Sequence, residues 1–498
     1  SVMSDFQGAG VKSSIVSLCA SAMGSGVISL GHAYADTGVV AGAVLIIALA
    51  MATNLSLRYL VALSEVSGEH TYEGIAKHCL GTLGERAANV LLICLLLGLN
   101  VLAQIIVMDL LPPVFHDFGI GAPRALVGGV AVTLIFPLTQ ASSLDKLKFT
   151  SAAALCSIVY LVVTLAVRVS QKTALGCNGR FDELSVRGSA SDAACYALCG
   201  DHFEQTMGTQ CHFPLTRPGN ATLLTCDVHS PVLMTQSVSV RDVLSMPLII
   251  TSFVCQFNIL KIHKELRPDL KHKITSVIHI SICGVAMMVY LIGGFLGYAL
   301  NGRCVANNLL KDMKSDVLFK VARVALSMTN LFKIPLYFIP MLESINSLFN
   351  YEPSRLFILL ESIPLYLVVY IIAVLLASVS KDLGIMGSTV GTLVIFVLPA
   401  LCYLNEPTGC VATLSFASAR ELTESAVAMR PGRVDTESMS THDQASMTST
   451  NFGSLVRSAS LLGSKLGVFA RLQAYLLLVS GVIISTGGFL VTLLNWNE

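Results

Sequence analysis

About eleven times along its length this chain runs for some twenty residues with almost no charge, and that recurrence limits what it can fold into. Each run is long enough for a helix to cross the roughly 30 Å hydrocarbon core of a bilayer. No water in that core satisfies a bare backbone N–H or C=O, so such runs must be helical. Composition agrees. Charged residues make up 13% of the chain and hydrophobic residues 54%, where an ordinary globular domain is about 25% charged. The expected fold is all-α and polytopic. The formal net charge of +1 says nothing about nucleic acid, but no basic run looks like a nucleic-acid patch, so no nucleic-acid partner is expected. The opening residues do not read as a cleavable leader. Trp496 is the only tryptophan, so an interfacial aromatic belt falls to tyrosine and phenylalanine.

The eleven expected spans are 12–36, 38–63, 86–112, 123–141, 149–169, 241–262, 274–300, 317–345, 355–379, 384–404 and 472–494. Pro112-Pro113 is expected to end span 3. The polar stretch 65–84 is expected to form a short interfacial helix. Five units follow. They are spans 1–5 (1–169), a Cys-rich loop (170–239), spans 6–10 (240–404), a Ser/Thr-rich segment (405–470) and span 11 with the C-terminus (471–498).

Orientation follows from basic residues in short connections. Lys261, Lys264, Arg267, Lys271 and Lys273 join spans 6 and 7, and Lys146 and Lys148 join spans 4 and 5. Both connections fall on one side, read as cytoplasmic, which puts the N-terminus inside and the C-terminus outside. The 405–470 segment falls inside, either a flexible connector or a phosphorylation target. The long loop falls outside with Cys177, Cys195, Cys199, Cys211 and Cys226, and Cys304 lies in the outer 7–8 connection. Clustered cysteines in an oxidising compartment point to disulfides whose pairing stays open. The regular C-x-x-C pairs of a zinc site are missing. Asn220-Ala221-Thr222 is a glycosylation sequon on the matching side. The plasma membrane and a vacuolar or lysosomal membrane fit equally.

Span 1 contains Gly24-Ser25-Gly26 near its middle. Glycine costs a helix up to about 1 kcal/mol relative to alanine, and freed backbone groups at membrane depth need partners. Such a break is tolerated where it lines a cavity. It then leaves the N-terminus of a half-helix, with bare N–H donors and a positive dipole end, facing that cavity. A carboxylate is the natural ligand. The alternative is a close helix–helix contact, which small residues also permit.

Five stretches in order resemble the amino acid/auxin permease family, which includes sodium-coupled neutral and vacuolar or proton-coupled amino acid transporters. They are G-S-G-V-I-S-L-G-H-A-Y-A-D-T-G from Gly24, F-P-L-T-Q-A-S-S-L-D-K-L-K-F-T-S from Phe136, S-F-V-C-Q-F-N-I-L-K-I-H-K-E-L from Ser252, R-V-A-L-S-M-T-N-L-F-K-I-P-L-Y-F-I-P from Arg323, and the span ending F-V-L-P-A-L-C-Y-L at Leu404. The resemblance implies a LeuT-like fold of two inverted five-span repeats plus one extra helix, with spans 1 and 6 broken at the centre. Span 6 departs from that expectation. It has no central Gly or Pro, so its break must rest on Cys255, Gln256 and Asn258.

The resemblance implies that Ser21, Ala22, Met23, Gly24, Ser25 and Gly26 receive the carboxylate and amine of an amino acid. Phe253, Gln256 and Asn258 would line the opposite wall. Asn100 and Gln104, one helical turn apart in span 3, either line the pocket or pair with each other. Lys333 lies deep in span 8, where an ionisable group marks function by default; the alternative is snorkelling to the cytoplasmic interface. Sodium-coupled members tend to carry a hydroxyl residue at the position of Lys333 and an amide at that of Ala20. With Lys333 and Ala20 there instead, sodium is not expected to couple transport. His32, past the break in span 1, is expected either to line the outer vestibule or to sense pH.

The expected activity is alternating-access transport of amino acids, neutral or aromatic ones favoured because no carboxylate is available for a cationic side chain. It would run on a proton gradient or by facilitated diffusion. No Walker loop points to ATP, and no enzyme chemistry, metal or cofactor is expected. Membrane lipid is the expected surround. A sensor that binds amino acids with little flux is the competing reading.

Overall fold

The computed structural model describes residues 9–23, 26–140, 148–174, 240–301, 309–310, 316–349, 354–376, 379–406 and 468–490. Gly24, Ser25, Asn220, Cys304 and the five cysteines of the long loop lie outside the described residues. So does nearly all of 405–470.

Span 1 is two helices, α1 (Val11–Ala22) and α2 (Gly26–Thr37), bent by 56°. Spans 2 to 5 are α3 (Val39–Ser67), α4 (Tyr72–Asp117), α5 (Arg124–Thr139) and α6 (Lys148–Ala174). Span 6 is α7 (Val240–Ser252) and α8 (Gln256–Glu265). Span 7, α9, runs through Ile274–His279, a π-wound stretch Ile280–Ala286 and Met287–Asn301. Spans 8 and 9 are α10 (Val317–Leu348) and α11 (Arg355–Leu376). Span 10, α12, runs from Val379–Met386 through π-wound Gly387–Gly391 and Leu393–Val397 into Leu398–Asn405. Span 11, α13, is Val468–Leu490. Among the described residues, nine helices are long and apolar enough to cross a bilayer. The bent pair makes a tenth, and the 16-residue α5 is an eleventh apolar segment.

Burial sorts the helices into centre and rim. Of the most apolar window of each, 78% is buried in span 6 and 72% in α4, but only 17% in α13. On α13, Leu472, Tyr475, Leu476, Val479 and Ile483 form an exposed stripe at three- and four-residue steps, as a helix facing acyl chains does. The most extensive packing in the molecule is α10 along α4. The interrupted helices are the first of each five-span half, and α2 lies against α7.

Two expectations about helix ends resolve differently. Pro112 and Pro113 do not end span 3, because α4 continues to Asp117. Each proline removes only its own N–H, and the turn beyond is closed by Phe118 and Ile120 N–H on Phe115 O and by Gly119 N–H on His116 O. The 65–84 stretch does contain a short helix. It begins at Tyr72, capped by the Thr71 hydroxyl accepting from Gly74 N–H at 3.2 Å. Gly81, at φ 73°, turns the chain into span 3. Only glycine adopts that conformation without strain.

Span 6 breaks without a glycine or proline. Phe253, Val254 and Cys255 leave the helix, with Phe253 N–H on Ile250 O at 3.0 Å and Val254 N–H on Thr251 O at 3.3 Å. The next N–H, that of Cys255, is taken by the side-chain oxygen of Gln256 at 2.9 Å. The amide does locally what a missing helix carbonyl would have done.

Candidate functional site

The C-terminus of α1 leaves carbonyls without helical partners and carries the negative end of its dipole. Two side chains from other spans meet it. Lys333 on α10 donates from Nζ to Met23 O at 2.8 Å. Its side chain is 5% exposed, so it reaches inward to the break and does not snorkel. Tyr290 on α9 places its hydroxyl 2.7 Å from Ala22 O and 2.5 Å from Ser252 O. Asn258 on α8 donates from Nδ2 to Ser21 Oγ at 2.8 Å.

A recess opens beside these contacts, lined among others by Ala20, Ser21, Asn258, Thr329, Lys333 and Tyr337. Its free volume is about 20 Å³, room for roughly one water. The walls come from α1, α6, α8 and α10, and among the described residues none that lines it is acidic. Thr329, Lys333, Leu336 and Tyr337 fall on one face of α10 at the four- and three-residue steps of a helix. Ser151 on α6 completes the rim.

The sequence-derived candidates divide accordingly. Ala20, Ser21, Asn258 and Lys333 are brought together. Ala22 and Met23 contribute their carbonyls. Phe253 and Gln256 are fully buried at the break of span 6; Phe253 lies edge-on to Tyr290, with ring centroids 4.9 Å apart. Gly26 is a contact glycine. A Cβ there would stand 2.0 Å from Ser252 Oγ and 2.9 Å from Ser252 Cα, so the tight-packing explanation of this residue holds whatever its amide binds. Asn100 and Gln104 do not pair: Asn100 Nδ2 donates to Leu96 O at 2.8 Å, and Asn100 Oδ1 has no partner among the described residues. Neither lines the recess, and both polar atoms of the Gln104 side chain lack a partner among the described residues. His32 stands 3.6 Å from Asp36, which also accepts from Ser245 Oγ on α7 at 3.2 Å. Asp109, the one carboxylate in span 3, is occupied by Arg124 Nε at 2.7 Å.

Sequence reasoning missed Thr329, Tyr337, Ser151 and Tyr290. The first two were within reach by stepping along the helix face from Lys333. Tyr290 had a fainter signal: a phenol at mid-span, far from either interface, needs a hydrogen-bond partner.

Comparison with known proteins settles the family. The model of the family described as transmembrane amino acid transporter protein matches residues 7–198 and 224–406. The chain belongs to that family. It is a carrier of amino acids across a membrane and not an enzyme. Among curated relatives of this transporter, the sodium-coupled neutral amino acid symporter 2 of Danio rerio is 22% identical over 420 residues, 79% of this chain and 74% of that protein. The sodium-coupled neutral amino acid transporter 4 of Rattus norvegicus is 23% identical over 418 residues, 77% of this chain and 75% of that protein. Among solved structures, the manganese transporter of Eremococcus coleocola aligns over 96% of this chain and 94% of its own, at 12% identity and a TM-score of 0.46.

Proposed function

We propose that this transporter moves neutral or aromatic amino acids by alternating access without sodium, either with a proton or by facilitated diffusion. The observation that carries this reading is the Lys333 ammonium, bonded to the Met23 carbonyl at the break of span 1. A bound cation would draw on the same carbonyl end of α1, and the ammonium already supplies the positive charge there. Ala20 and Lys333 line one recess, so the two departures from the sodium-coupled pattern are neighbours in space. The names of the sodium-coupled relatives therefore do not carry their ion over to this chain.

The amino acid carboxylate is assigned to the N-terminus of α2, which begins at Gly26, where bare N–H groups and the dipole favour an anion. Ser21, Asn258 and Gln256 supply neutral hydrogen-bonding groups around it. Among the described residues the recess lining has no acidic group, which disfavours a cationic side chain. The N-terminus is placed in the cytoplasm and the Cys-rich loop outside, in the plasma membrane or a vacuolar or lysosomal one.

Uptake of labelled amino acids into proteoliposomes tests the reading under a sodium gradient, an inward proton gradient, or neither. Stimulation by protons, or equal flux in all three, supports it. Stimulation by sodium refutes it. Saturable binding with no flux makes the protein a sensor.

A further inference from the structure

Two helix C-termini end at one hydroxyl. Ala22 closes α1 and Ser252 closes α7, and their carbonyl oxygens stand 2.7 and 2.5 Å from Tyr290 Oη. A phenol carries one hydrogen, so these two carbonyls share a single O–H donor. Each oxygen lies at the negative end of its half-helix, and bringing two such ends together without a donor between them is unfavourable at low dielectric. Tyr290 is 0% exposed. Its ring is held by the edge of Phe253, the first residue of the span 6 break, at 83°. Gly26, the first residue of α2, is packed onto Ser252. The hydroxyl therefore sits at a point where both interruptions meet, contributed by a third span.

We infer that Tyr290 is a positioning residue for the substrate. Its O–H holds the C-terminal ends of α1 and α7 in the register in which the unwound backbone of spans 1 and 6 receives an amino acid. Preorganised backbone of this kind sets affinity, so losing the donor raises KM before it lowers turnover. The inference rests on the transport reading above.

The test is Tyr290→Phe beside Tyr366→Phe. Tyr366 on α11 is also buried and also donates to a backbone carbonyl, Val132 O at 2.8 Å, but it joins α11 to α5, neither of which carries a break. A purely structural role predicts the same outcome for both. The inference predicts a KM for Y290F at least tenfold above wild type with turnover within threefold, while Y366F stays within twofold on both. Y290F with a wild-type KM, or the two variants shifting together, overturns it. Tyr290→Leu is made in parallel, and whichever Tyr290 variant is recovered folded is judged by the same criterion. Wild type is measured alongside for flux and for amino-acid-induced thermal shift. If it shows neither, the transport reading falls and takes this inference with it; an active wild type with unchanged Tyr290 variants defeats the inference alone.

Discussion

Lys333→Met removes the ammonium and keeps most of the stem. In the wild type the buried charge costs several kcal/mol to desolvate. Against this, its bond to Met23 O contributes about 1.5–3 kcal/mol as a hydrogen bond to a charged group. The dipole of α1 adds up to about 2 kcal/mol. In the variant the desolvation cost disappears, but Met23 O loses its donor, at about 1–3 kcal/mol. These terms nearly cancel. K333M should therefore fold and lose no more than about 2 kcal/mol, a melting temperature lowered by only a few degrees. Transport should fall at least tenfold, because a charge kept at such small net benefit to stability is kept for function. The assay is uptake into proteoliposomes with thermal unfolding measured on the same preparations. K333M that transports at the wild-type rate with the wild-type ion dependence refutes the reasoning. So does a variant that simply fails to fold, since that would make Lys333 structural.

Three more predictions follow from the same geometry. Ala20→Asn with Lys333→Thr puts an amide and a hydroxyl on the recess wall and should give sodium-stimulated uptake, read as flux with and without a sodium gradient. Gly26→Ala drives a Cβ into the Ser252 backbone and should cost on the order of 3 kcal/mol or abolish recovery of folded protein, checked by detergent-extracted yield and melting. Ser21→Ala, Asn258→Ala and the double variant should show coupling of about 1 kcal/mol in substrate KM, as their 2.8 Å bond implies; strictly additive effects would break that link.

The gross architecture was legible because lipid imposes one rule on the backbone, and span lengths follow from it. The break in span 1 showed as Gly24-Ser25-Gly26, since glycine signals poor helix formation whatever surrounds it. The break in span 6 was expected only through the family resemblance, at Cys255, Gln256 and Asn258; no glycine or proline marks it, because Gln256 satisfies the unwound backbone with its own side chain. The π-wound stretches of α9 and α12 left no mark either. Within them Gly387 seats against Pro247 O and Ser281 meets α1, contacts between residues far apart in sequence. Pro112-Pro113 misled for the opposite reason. It is a strong local signal, overridden by the few residues beyond it that still close a turn. Within the site, Lys333 stood out as a charge among apolar neighbours. Tyr290 is one of 13 tyrosines, and its place between two carbonyls exists only once three spans have packed.

The most direct test of the central claim is the simultaneous flux of radioactive sodium and labelled amino acid into proteoliposomes of the purified chain. The Lys333 ammonium on the Met23 carbonyl predicts amino acid entry with no accompanying sodium above the background of empty vesicles. Sodium entering in a fixed ratio to the amino acid would contradict it, and would mean that the ammonium does not take the place of the ion.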